Sequence, residues 1–128
     1  MRRIACALVA GLTVFASLPF PALADEKLTA AEIRTLLDGR TALGNWRGTD
    51  TRQYFATSGL TVYLEKGGIP DEGKWRVDEA KNQYCSWWQR GGWSCYDVET
   101  DGATHYWVSP GSDYRSPFTM TDGRQMGF

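Results

Sequence analysis

The stretch 84–96 limits the fold more than any other part of the chain. It reads Tyr-Cys-Ser-Trp-Trp-Gln-Arg-Gly-Gly-Trp-Ser-Cys-Tyr. Strand-forming residues flank a turn with glycine at the position where a three-residue hairpin loop needs a left-handed backbone. If Trp88 and Gly92 flank the turn Gln89-Arg90-Gly91, directly opposed residues have numbers that sum to 180. Cys85 then faces Cys95, and Trp87 faces Trp93 on the same side. Tyr84/Tyr96 and Ser86/Ser94 share the other side with Trp88. Opposed residues in an antiparallel pair approach to about 4.5–5.5 Å Cα–Cα, which a disulfide tolerates. A bulge at Gly92 slips this register by one and removes the match. Closing so small a loop stabilises by roughly 3 kcal/mol or less. The Trp87/Trp93 cross-strand pair adds on the order of 0.5–1 kcal/mol.

The start of the chain supplies the redox conditions that such a bond requires. Met1-Arg2-Arg3 is basic, residues 4–18 are apolar apart from Thr13 and Ser17, and Ala22-Leu23-Ala24 is a small-residue site. This is the order of a secretory signal peptide cleaved after Ala24. The expected protein is therefore exported, periplasmic or secreted, and residues 25–128 form a single small domain. Cys6 leaves with the leader, and the remaining pair, Cys85 and Cys95, reads as a disulfide in an oxidising compartment. A zinc site is disfavoured. There is no C-x-x-C, His105 is the only histidine, and zinc takes about four N or S ligands.

Without Arg2 and Arg3, twelve basic residues face fifteen acidic ones, a net charge of −3. Nucleic acid is not an expected partner, because its binders carry a basic stripe. No apolar run after the leader approaches the roughly 20 residues of a membrane-spanning helix.

Residues 29–38 form the one convincing helix. Thr29-Ala30-Ala31-Glu32 is a capping box, and Leu28 with Ile33 makes the accompanying hydrophobic staple. Gly39 suits the left-handed position after the last turn. So short a helix is marginal alone and must dock Ile33, Leu36 and Leu37 on a larger body. That body reads as sheet. β-branched and aromatic runs at 41–46, 53–56, 60–65, 74–77, 83–88, 93–100, 105–109 and 118–121 are separated by Gly, Asn, Asp and Pro, the pattern of an all-β domain. Leu60, Val62 and Leu64 share one face, and Trp75 and Val77 another. Asp71-Glu72-Gly73 reads as a turn, and 109–117 as a loop rich in Ser, Gly and Pro. The fold expected is mainly β: a short N-terminal helix, then an antiparallel meander of seven or eight strands closed as a small lipocalin-like barrel or stacked as a sandwich.

All six tryptophans lie after the leader, five of them between residues 75 and 107. Trp46, Trp75 and Trp107 read as core, since large aromatics supply much of the burial of a small domain. The vicinal pair Trp87-Trp88 does not fit that reading. Strand neighbours point to opposite faces, so one of the two belongs at a surface, a mouth or an interface. The candidate binding patch is Trp88, Tyr84 and Tyr96 with Arg90, or else Trp87 with Trp93. The sequence leaves open which face is presented.

Signals for catalysis are sparse. His105 titrates near neutrality but has only Asp101 and Ser109 as nearby partners, and there is no G-x-S-x-G elbow. Asp97-Val98-Glu99-Thr100-Asp101-Gly102 begins like a calcium loop, but the twelfth position is Val108, where a bidentate Glu is needed. No phosphate-binding glycine loop precedes a helix. No cofactor, metal or enzymatic activity is expected.

The order of the leader, Leu28-Thr29-Ala30-Ala31-Glu32-Ile33 with Gly39, Gly73-Lys74-Trp75-Arg76-Val77, Tyr84-Cys85, Trp93-Ser94-Cys95-Tyr96 and Asp101-Gly102 resembles a group of small uncharacterised periplasmic proteins of Gram-negative bacteria. These share a G-x-W-x-V…C…C-[YF]…D-G pattern. The resemblance covers most of the chain after residue 24 and is consistent with a lipocalin-like small barrel. It implies no assigned activity and transfers no functional residues. The functional expectation is an exported, non-enzymatic binding domain whose partner is a small ligand or a periplasmic protein. The alternative is an inhibitor or accessory protein of a secreted enzyme such as a protease or lysozyme, with the 109–117 loop as its inserted element.

Overall fold

Two-residue alternation sorts the strand side chains into an inner and an outer set, and the inner set fixes the architecture. The computed structural model describes residues 14–17 and 25–128. The expected leader otherwise lies outside the described residues. The elements are β1 (Glu26–Lys27), α1 (Ala30–Leu37), β2 (Arg40–Trp46), β3 (Thr49–Phe55), β4 (Leu60–Glu65), β5 (Asp71–Asp78), β6 (Gln83–Trp88), β7 (Gly92–Thr100), β8 (His105–Val108) and β9 (Arg115–Asp122). Strands β2 to β9 form an antiparallel meander that closes when β9 pairs with β2. The result is an eight-stranded barrel, not a sandwich. Closure removes the exposed sheet edges that a small β domain otherwise has to protect.

α1 forms where its local signals place it. The Glu32 N–H donates to the Thr29 hydroxyl and the Thr29 N–H donates to the Glu32 carboxylate, completing the capping box. Gly39 follows with φ +70°, and its N–H donates to the Phe55 carbonyl at 2.8 Å. That bond delivers the chain into β2 and anchors the helix end on β3. Ile33 and Leu37 are fully buried, and Leu28 and Ala30 nearly so. They close one end of the barrel over Phe55, Trp75, Val77, Val98 and Phe118. Phe55 meets Trp75 and Tyr84 edge-on at 5.5 and 5.6 Å, and Trp107 stacks on Phe118 at 3.9 Å.

Several boundaries differ from the sequence reading. Asp71-Glu72-Gly73, expected as a turn, is the start of β5, with Glu72 opposite Val62 and Gly73 opposite Thr61. β3 starts at Thr49, four residues earlier than expected. Arg115 to Pro117, expected as loop, belong to β9 and pair with β8. Pro117 has no N–H to donate, and the ladder to β2 begins only at Phe118, so the strand accommodates it. β1 was not expected at all. Its two charged residues pair with Thr100 and Glu99 of β7, extending the sheet through backbone bonds that owe nothing to side-chain propensity.

The outer face is strongly charged. Lys27 pairs with Asp97 at 3.1 Å, and Arg115 bridges Asp25 at 2.7 Å and Glu99 at 3.6 Å. The segment after β9 folds back over β2, where the Thr41 hydroxyl donates to the Gly123 carbonyl and accepts from the Gln125 N–H.

Candidate functional site

The β6–β7 hairpin has the register that its sequence implies. Tyr84 opposes Tyr96, Cys85 opposes Cys95, Ser86 opposes Ser94, Trp87 opposes Trp93 and Trp88 opposes Gly92. Cys85 and Cys95 are joined as a disulfide with their Cα atoms 4.0 Å apart. The question of faces is settled by the same pairing. Tyr84, Trp88 and Tyr96 point into the barrel, while Trp87 and Trp93 flank the disulfide outside.

The two faces have different chemistry. Outside, the Lys74 ammonium lies 5.1 Å from the Trp87 ring and the Arg76 guanidinium 4.6 Å from Trp93. These cations cover the outer rings in part, and Trp93 remains 44% exposed. Arg90 is an exposed turn residue and does not line the interior. It therefore separates from Trp88, Tyr84 and Tyr96, with which the sequence reading grouped it.

Inside, the half of the barrel away from α1 is hollow. A cavity of about 300 Å³ opens at that end, and its wall includes Trp46, Tyr63, Tyr84, Trp88, Tyr96 and Trp107. The room exists because the inward residues between these rings are small: Gly44 on β2, Thr51 on β3, Ser86 on β6 and Ser116 on β9. Trp75 is the only one of the three tryptophans expected in the core that is fully committed to it, with 8% exposure. Trp46 is half-buried and lines the cavity, a correction to the core reading, whereas Trp107 packs against the core, stacked on Phe118, and also contributes to the cavity wall. Gly73 is needed for the placement of Trp88. A Cβ there would sit 2.3 Å from the Trp87 carbonyl oxygen and 2.7 Å from the Trp88 ring.

Polar groups mark the floor and the rim. At the floor the Gln53 amide donates to the Tyr84 hydroxyl at 2.8 Å and to the Thr61 hydroxyl at 3.0 Å. The Trp88 indole N–H donates to Ser86 at 3.1 Å. Burial holds the Tyr84 hydroxyl well above the ordinary phenol range, although its bonds to Ser86 and Gln53 work the other way. Tyr63 and Glu65 come from the inward positions of β4, because the apolar set Leu60, Val62 and Leu64 faces outward. The Tyr63 hydroxyl donates to the Glu65 carboxylate at 3.3 Å. Its ionisation is pushed up first by burial and then by that carboxylate. At the rim, the Arg47 guanidinium lies 4.5 Å from the Tyr114 ring and 5.8 Å from Trp46. The Tyr114 hydroxyl accepts the Arg47 N–H at 2.8 Å. The loop 109–114 is thereby tied to the rim.

The remaining sequence candidates lie elsewhere. His105 is at the closed end, half-buried and stacked on Phe118 at 5.5 Å. Its pKa is lowered, first by burial and then by the Arg40 charge, with Asp101 opposing. Asp97 and Glu99 are in the outer ion pairs described above, and Asp101 accepts the N–H groups of Ala103 and Thr104 in its turn. Among the described residues, no group of three or more His, Cys, Asp or Glu side chains is placed to hold a metal ion.

Comparison with protein-family models, with curated proteins and with solved structures finds no match to this chain.

Proposed function

We propose that this protein is an exported, non-enzymatic binding module that holds one small ligand in the open half of its barrel. The observation that carries this reading is the 300 Å³ cavity, walled by six aromatic rings and closed at its far end by α1. Small-molecule sites are typically concave, mostly apolar and aromatic, about 300–1,000 Å³ in volume, with a few placed polar groups. Gln53, Tyr84 and Glu65 are such groups. A barrel inserted in an outer membrane carries an apolar outer band. Here the outer face bears Arg52, Lys74, Arg76, Asp97, Glu99 and Arg115, which supports a barrel that works in water.

Export rests on the leader read in residues 1–24 and on the cysteine pair, which needs oxidising conditions to close. We place the chain with the small periplasmic proteins that share its G-x-W-x-V and C…C-Y pattern. The inhibitor reading calls for a protruding, ordered loop and no internal cavity. The hollow interior favours the ligand reading instead.

Native mass spectrometry of the full-length gene product, recovered from the exported fraction, tests this proposal. The expected result is a monomer with residues 1–24 removed that retains a bound small molecule. A stoichiometric protein partner and an empty barrel would favour the inhibitor reading.

A further inference from the structure

Resting on the binding reading above, we propose that the ligand is an organic cation, an amine or quaternary ammonium compound whose head group sits among Trp46, Tyr63, Trp88 and Tyr96 beside the Glu65 carboxylate. The argument is from charge and ring placement. Among the described residues, Glu65 is the one acidic side chain that lines the cavity, and no Lys, Arg or His lines it. The rings are set at steep angles to each other: Tyr63 and Trp88 at 6.0 Å and 64°, Trp46 and Tyr96 at 6.2 Å and 84°. The two rings of each pair lie in different planes and all four line the cavity, and an ammonium group is attracted to the face of such rings through their quadrupoles. A carboxylate at the rim adds a formal counter-charge without closing the entrance.

The rim rings already hold a cation. Arg47 stacks on Tyr114 and Trp46 at cation–π distance. The floor favours the same orientation. It is built from the neutral groups Gln53, Thr61 and Tyr84, so it suits the uncharged end of a ligand whose positive head lies toward Glu65. An anion would meet Glu65 and the negative ring faces together; among the described residues the lining holds no Lys, Arg or His, and Arg47 stays at the rim on Tyr114 and Trp46.

The test compares choline with 3,3-dimethylbutan-1-ol, which has the same shape and no charge. Binding is followed by NMR titration of the indole N–H signals of the full exported protein. Choline is expected to bind about tenfold tighter than the alcohol, in the range that a desolvated cation–π contact supplies. Glu65→Gln is expected to reduce that preference severalfold while leaving thermal unfolding unchanged, since the carboxylate is exposed. Equal or tighter binding of the alcohol would overturn the cation assignment and leave the ligand-binding reading intact. Absence of binding by both would overturn the cation assignment too. The mass-spectrometry result then decides separately whether the cavity holds a ligand of another class. An undiminished preference in Glu65→Gln would remove Glu65 from the proposal.

Discussion

The two ends of this barrel are built from the same residue types and put them to different use. At the closed end Phe55, Trp75 and Phe118 are packed to 8% exposure or less beneath Ile33 and Leu37. At the open end Trp46, Tyr63, Trp88 and Tyr96 stay half-buried around empty space, with Trp107 between the two ends, stacked on Phe118 and lining the cavity. The difference lies in what sits between the aromatics. Near α1 the gaps between rings are filled by Ile33, Leu37, Val77 and Val98. Toward the mouth the residues between the rings are Gly44, Thr51, Ser86 and Ser116, too small to do so. Aromatic content alone therefore says nothing about whether a barrel is solid. The size of the residues between the rings decides it.

The largest effect that can break this comparison is at the closed end. Phe55→Ala is expected to cost about 3–5 kcal/mol, while Trp46→Ala at the rim costs about 1–2 kcal/mol. Urea denaturation of both variants checks this, and equal losses would mean that the open half is as well packed as the closed half. Next comes the bond outside the barrel. Replacing both Cys85 and Cys95 by Ala is expected to lower stability by about 2–3 kcal/mol, read as a lower melting temperature, without changing ligand affinity, because the disulfide is not part of the cavity wall. Gly73→Ala sharpens the contrast from inside. The added methyl meets a carbonyl oxygen and the Trp88 ring, so it costs about 1–3 kcal/mol and should also weaken ligand binding by moving Trp88. Loss of stability with unchanged binding would take Trp88 out of the site.

The smallest effect is a pH dependence confined to the closed end. The folded pKa of His105 lies below the ordinary value of 6.5, so the unfolded chain takes up the proton more readily. Stability is expected to decline as pH falls below about 6.5 and to level off once His105 is protonated in both states. The decline should be absent in His105→Gln. Asp101 acts in a separate window. Its carboxyl is held below its ordinary value of 3.8 by the N–H groups of Thr104 and Ala103 and the Tyr106 hydroxyl. Its contribution is lost only as pH falls below that value. Thermal melts between pH 7 and 5 isolate His105.

Much of the fold was legible because its signals are local. The capping box from Thr29 to Glu32, the hairpin register through Cys85 and Cys95, and the eight strand segments all follow from patterns within a few residues. The choice of barrel over sandwich was not legible, because it depends on whether β9 reaches β2, a contact between distant parts of the chain. The site was half legible. Trp87-Trp88 announces that one ring leaves the core, but sequence alternation carries no sign for inside or outside. On β4 the apolar set Leu60, Val62 and Leu64 draws attention, yet the inward residues are Thr61, Tyr63 and Glu65. Tyr63 and Glu65 were missed for that reason. The available signal was the row of small residues at Gly44, Thr51, Ser86 and Ser116, readable only once the strands are aligned side by side.

The central claim is that the open half of the barrel, and not the aromatic pair outside, receives the ligand. Indole N–H resonances assigned one by one through Trp→Phe variants and followed during choline titration test it directly. The account predicts saturable shifts for Trp46, Trp88 and Trp107, with Trp75, Trp87 and Trp93 unmoved. Shifts confined to Trp87 and Trp93 would contradict it and move the binding surface to the outer face of the disulfide hairpin.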